Sequence, residues 1–133
     1  MLSIKTDNLY HIKWPRNKSG YRSIGDLSEE FPLTIILKPN IPNIDPSRED
    51  STTPRISFAT SIEGAYGSLG ISNISDRFYL GVYKPSRPVD VFYPLNAPLK
   101  DKKFYVHDAE KWGEVWSLRP VIAELYKIVA PWE

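Results

Sequence analysis

Residues 55–69 read Arg-Ile-Ser-Phe-Ala-Thr-Ser-Ile-Glu-Gly-Ala-Tyr-Gly-Ser-Leu, and this stretch carries the clearest local pattern in the chain. In its first five residues, apolar side chains alternate with polar ones, which is the period of a half-buried strand. Thr60 or Ser61 then supplies a hydroxyl of the kind that caps a helix, and an acidic residue follows close to the positive helix end. The stretch therefore predicts a strand followed by a helix over about 62–69.

Other segments extend this β character over the chain. The strand-like runs lie at 9–14, 77–83, 89–93, 114–118 and 121–129, and a short aliphatic run lies at 33–37. The 12 prolines remove backbone donors too often for long helices, so they favour strands and loops. We predict an α+β fold: a small, mostly antiparallel β domain with six or seven strands and one or two short helices.

Size and composition narrow the class of protein. A chain of 133 residues with 41% hydrophobic and 25% charged residues fits one compact domain, so we assign residues 1–133 to a single domain. The absence of cysteine excludes disulfides, thiolate metal sites and cysteine nucleophiles. A formal net charge of +1 indicates neither a nucleic-acid nor a membrane partner. With no apolar run of membrane-spanning length and no apolar leader, a cytoplasmic location without membrane association is expected.

Three places in the sequence offer chemistry. His11 lies in an early strand, the strand and helix at 55–69 place small polar side chains beside Tyr66, and Glu114 opens an apolar strand. A strand-to-helix turn suits a planar or phosphorylated ligand, and a glutamate facing a cleft can stabilise developing positive charge. Each residue also has an ordinary explanation as a packed histidine, a simple connection or a solvated carboxylate.

The order of these three places resembles the ADP-ribosyltransferase superfamily, in its histidine–tyrosine–glutamate branch of poly-ADP-ribose polymerases and related enzymes. Leu9-Tyr10-His11 is similar to the first motif of that family, and Ile56-Ser57-Phe58-Ala59 is similar to the second. Glu114, leading into an apolar C-terminal strand, is similar to the third. The resemblance implies an ADP-ribosyltransferase-like fold that binds NAD and transfers ADP-ribose to a macromolecular acceptor.

The resemblance also implies roles for individual residues. Glu114 and His11 would be catalytic, with Glu114 stabilising positive charge on the ribose and His11 holding that ribose. Cofactor binding would involve His11, Arg55, Ser57 and Tyr66, with Arg55 or Lys13 meeting the pyrophosphate. Ser57 stands where the family has a tyrosine, so packing against nicotinamide would fall to Tyr66 or to a loop aromatic.

Several alternatives stay open at this point. The chain is either an NAD-dependent enzyme or a non-enzymatic effector or inhibitor, which binds a partner protein or a nucleotide-like ligand. The acceptor would be a protein or a nucleic acid, and a chain this short is compatible with a phage or mobile-element product. No metal is predicted, because neighbours such as His107 and Asp108 lie on opposite faces of a strand.

Overall fold

A computed structural model describes residues 3–15, 30–41, 53–68, 79–93 and 113–130. Eight strands and one helix lie wholly within these ranges. They are β1 (Ile4–Thr6), β2 (His11–Lys13), β3 (Thr34–Leu37), β4 (Ile56–Ala59), α1 (Ile62–Ser68), β5 (Leu80–Pro85), β6 (Val89–Val91), β7 (Glu114–Ser117) and β8 (Val121–Val129). Within the same ranges, no helix is long and apolar enough to cross a membrane.

The strands pair in three antiparallel groups. Four of them form a sheet in the order β2-β5-β8-β3, while β4 pairs with β7 and β1 pairs with β6. Isolated bridges connect the groups. Phe92, next to β6, pairs with Trp116 in β7, so the two short pairs are continuous with each other.

Strand β4 closes the arrangement into a curl. Asn40, just beyond β3, pairs with Arg55 at the start of β4, and Tyr10, just before β2, pairs with Ala59 at its end. Because β2 and β3 are the two outer strands of the four-stranded sheet, β4 contacts both of its edges. This curvature joins residues that are far apart along the chain.

The prediction of an α+β fold is wrong, because the described residues form a β-rich structure of curled antiparallel strands. The predicted strand and helix do follow one another, and the Ser61 hydroxyl accepts the Gly64 N–H at 2.9 Å as the helix cap. However, α1 has seven residues and packs on the sheet as a small cover rather than as a second layer. Strand β1 was not predicted, since Ile4–Thr6 is too short to show a period.

Two hydrophobic clusters lie on opposite sides of the sheet. The first fills the inside of the curl and includes Leu9, Phe58, Tyr83 and Val115 among its buried members. The second lies under α1, where Ala65 packs with residues of β2, β4 and β5. Gly81 is required at its position in β5, because a Cβ there would come within 2.7 Å of the buried Phe31 ring.

Candidate functional site

A gap opens along one edge of β4. The backbone N–H and C=O groups of Arg55 bond to Asn40, and those of Ala59 bond to Tyr10. Alternate residues of an antiparallel strand direct these groups to the same edge, so the N–H and C=O of Ser57 face the space between the two bridges. No strand fills that space among the described residues, and a cleft lies there between β2, β3 and β4.

The cleft is lined mainly by polar and cationic residues. Its volume is about 270 Å³, near the lower end of small-molecule sites, and suits part of a dinucleotide. Three apolar residues, Ile36, Leu37 and Ile56, also line it. The polar lining consists of His11, Lys13, Lys38, Asn40, Arg55 and Ser57. No carboxylate is found among the described residues of this lining, so the cleft favours an anion.

His11 is fixed at the mouth of this gap. Its Nδ1 lies 2.8 Å from the carbonyl oxygen of Ser57, and its ring packs edge-on against Phe58 with the centroids 5.7 Å apart. Because a carbonyl oxygen can only accept, Nδ1 carries the proton in this contact. In the neutral ring, Nε2 therefore holds a lone pair and can accept a hydrogen bond from a ligand hydroxyl.

Burial lowers the pKa of His11 below its ordinary value of 6.5, and the nearby Lys13 acts in the same direction. The hydrogen bond to Ser57 opposes this change but is a smaller effect than burial. A histidine whose pKa is lowered by folding binds protons more readily in the unfolded state. Its stabilising contribution is complete above pH 6.5 and is lost as the pH falls through the pKa of the folded form.

We therefore expect the free energy of unfolding to decrease as the pH falls below about 6.5. Urea denaturation in a His107→Gln background measures this with His11 as the remaining histidine. The matched variant, His11→Asn in the same background, keeps a donor for the Ser57 carbonyl but does not titrate. It should have a much flatter profile, and an equal slope in both proteins would contradict the prediction.

Arg55 lines the cleft but its guanidinium is directed elsewhere. The side chain is buried, its Nη1 donates to the Thr53 carbonyl at 3.2 Å, and its Cζ lies 4.0 Å from the centre of the Trp116 ring. Such a cation–π contact holds the guanidinium in place over the indole. The exposed Lys13 and Lys38 are consequently better placed than Arg55 to reach a phosphate.

Glu114 begins β7 and is half-buried. One of its carboxylate oxygens, Oε2, accepts the Trp116 Nε1–H at 2.6 Å, which fixes the orientation of the carboxylate. Gly113 precedes it with a φ of 67°, in the left-handed region, and its carbonyl accepts the Thr60 N–H at 3.1 Å. This turn brings the start of β7 against the end of β4.

Strand register relates Glu114 to the cleft. Ala59 lies opposite Glu114, and Ser57 lies opposite Trp116, so all four side chains share one face of the β4–β7 pair. Ser57 and Glu114 are diagonal neighbours there, a relation that places Cα atoms about 7–8 Å apart. Glu114 does not line the cleft itself. It is, however, the diagonal neighbour of Ser57, and Ser57 does line the cleft.

The structure does not bring Tyr66 into this cleft. Its ring packs against the second hydrophobic cluster, as Ile62 and Tyr10 also do. Partial burial, followed by the negative charge of Glu63, raises the pKa of Tyr66. The cleft thus gathers three of the five predicted site residues, His11, Arg55 and Ser57. His107 lies outside the described residues, and so do residues 16–29 and 42–52.

Sequence reasoning missed three residues of this region. Lys38 and Asn40 follow β3 and enter the site only because the sheet curls, so no local pattern could have found them. Trp116 had a usable signal: it lies two residues after Glu114 on the same strand, so both side chains were bound to share a face.

Comparison of the chain with family models, curated proteins and solved structures found no match.

Proposed function

We propose that this chain binds NAD in the cleft between β2, β3 and β4 and transfers its ADP-ribose to a macromolecular acceptor. The observation that carries the proposal is that a cationic cleft holding His11 and Ser57 lies one diagonal step from the oriented carboxylate of Glu114. These residues belong to three separate parts of the chain, and β4 joins them. The resemblance of the three motifs to ADP-ribosyltransferases supplies the reaction class.

The charge of the cleft supports a ligand that carries phosphate. Lys13 and Lys38 are both exposed and line the same space, and each ammonium group can meet a pyrophosphate oxygen. The Ser57 N–H is directed to this edge of β4 and offers a neutral donor. His11 Nε2 is suited to accept a hydrogen bond from a ribose hydroxyl.

The proposed reaction exchanges one bond to the ribose C1′ for another. The bond from C1′ to the nicotinamide nitrogen breaks and its electron pair leaves with nicotinamide, which gives the ribose oxocarbenium character. The acceptor then bonds to C1′ and releases its proton to solvent. A fixed carboxylate beside the developing positive charge stabilises this state, and we assign that role to Glu114.

A second candidate function is non-enzymatic: the cleft binds a nucleotide-like ligand and catalyses no reaction. Two observations favour it: the Arg55 guanidinium is held over Trp116 rather than in the cleft, and Ser57 supplies no ring for nicotinamide. In this case the chain acts as an effector or inhibitor through the bound ligand or a partner protein. Binding and turnover measured separately distinguish the two functions.

The first test is binding. NAD is expected to raise the melting temperature of the protein, and the double variant Lys13→Gln, Lys38→Gln should bind NAD roughly tenfold more weakly because two charge-assisted contacts are lost. Lys5→Gln is the matched control, since Lys5 is exposed on β1 and does not line the cleft. Isothermal titration gives the affinities.

The second test is turnover. Incubation with NAD labelled in the adenosine half and a cell extract should transfer label to a macromolecule and release nicotinamide. Binding without either product would support the non-enzymatic function. If NAD neither shifts the melting temperature nor yields nicotinamide, the proposal for NAD is refuted.

A further inference from the structure

A second surface with ligand chemistry lies on the outer face of the four-stranded sheet, away from the first core cluster. The rings of Tyr10 and Tyr126 meet edge-on with their centroids 6.0 Å apart. Lys84 Nζ lies 5.0 Å from the Tyr10 ring centre and 5.1 Å from that of Tyr126, and Lys127 Nζ lies 5.8 Å from the latter. We call these four residues the aromatic patch.

An irregularity in β8 creates this patch. Val82 pairs with Lys127 whereas Tyr83 pairs with Leu125, so Tyr126 is an extra residue with no partner of its own in β5. Such a β-bulge redirects side chains, and here it brings Tyr126 and Lys127, adjacent in sequence, to the same group of rings and cations. Tyr126 is 54% exposed, so most of its ring is not used in packing against the sheet.

We propose that the aromatic patch binds single-stranded nucleic acid. Exposed aromatic rings on a sheet stack with unpaired bases, and lysines beside them meet the phosphates that join those bases. Tyr126 supplies the exposed ring and Lys127 an exposed cation, while the half-buried Lys84 holds the two rings together. The helix α1 covers a neighbouring part of this face, around Ile12 and Val82, and defines one border of the patch.

Base stacking, rather than charge, favours single strands over other anionic partners at this patch. The patch has two lysines, and Glu124 lies opposite Lys84 in the strand register, so charge alone gives weak attraction. In a duplex the bases are paired and stacked, so a duplex would gain only the weak electrostatic attraction. The same holds for an acidic peptide. A single strand adds stacking on the tyrosine ring, which tolerates any base sequence.

This inference does not rest on the proposed function, because the aromatic patch shares no residue with the lining of the cleft. Its test also contains no NAD, so the two proposals can fail separately. Fluorescence anisotropy with a fluorescein-labelled thymidine oligonucleotide of about 15 nucleotides gives the affinity of the full chain. We expect Tyr126→Ala to weaken binding by about 5- to 100-fold, and Tyr126→Phe, which keeps the ring, to change it by less than about threefold. Lys127→Gln should reduce the salt dependence by about one phosphate contact.

Ile122→Thr is the matched control, because Ile122 is an exposed aliphatic residue on the same face of β8 and should leave binding unchanged. Melting temperatures confirm that each variant is folded, as expected for such exposed sites. The proposal is overturned if the protein does not bind the oligonucleotide, or if the corresponding duplex binds as tightly. It is equally overturned if Tyr126→Ala binds like the parent, or if polyglutamate displaces the oligonucleotide at equal charge.

Discussion

Glu114→Gln is expected to lower the rate of nicotinamide release from NAD by about 10²- to 10³-fold, a loss typical of removing one preorganised electrostatic contact. The variant should still respond to NAD with a raised melting temperature. Glutamine has the shape of glutamate, and its amide oxygen can still accept the Trp116 Nε1–H that now meets Oε2 at 2.6 Å. Only the negative charge opposite the developing oxocarbenium ion is removed.

Glu124→Gln is the control for this experiment, because it makes the same chemical change at an exposed position on β8. Single-turnover measurement, with the protein in excess over NAD and above the dissociation constant for NAD, separates the chemical step from binding. Two outcomes would contradict the assigned role of Glu114. One is an unchanged rate in Glu114→Gln, and the other is an equal loss in both variants, which would indicate a general effect of surface charge.

Local features of the structure follow well from the sequence. Alternation in 55–59 and the apolar runs after Gly113 and Pro120 predict β4, β7 and β8, since each has the period or the length of a strand. The cap at Ser61 also follows from its hydroxyl. The class of the fold was predicted wrongly, because the strand-and-helix pattern at 55–69 was taken as evidence for an α+β fold. The helix there has only seven residues and does not form a layer of its own.

The assembly of the site could be predicted only in part. His11 and Ser57 are 46 residues apart, and their 2.8 Å contact depends on β4 bridging both edges of the four-stranded sheet. Strand periodicity gives the face of a side chain but not the neighbouring strand, so it could not reveal that Lys38 enters the cleft. The bulge at Tyr126 was equally hidden, because an extra residue in one strand is defined by its partner strand.

Phe58→Ala is expected to reduce the free energy of unfolding by about 3–5 kcal/mol, a large share of the total for a domain of this size. Phe58 is 2% exposed and belongs to the cluster inside the curl, on the strand that joins both sheet edges. Removing its ring leaves a cavity at the point where the sheet closes. Urea denaturation measures the change, with Leu33→Ala, at a residue 77% exposed, as a control expected within about 0.5 kcal/mol of the parent.

The same substitution should also alter the site, because the Phe58 ring covers the imidazole of His11 at a centroid distance of 5.7 Å. Burial is the main cause of the lowered pKa of His11, so loss of this cover should raise that pKa toward 6.5. Proton NMR of the imidazole in a His107→Gln background follows the titration directly. A destabilised protein with an unchanged His11 titration would show that β4 supports the fold without setting the environment of His11, and that the cleft is organised by other strands.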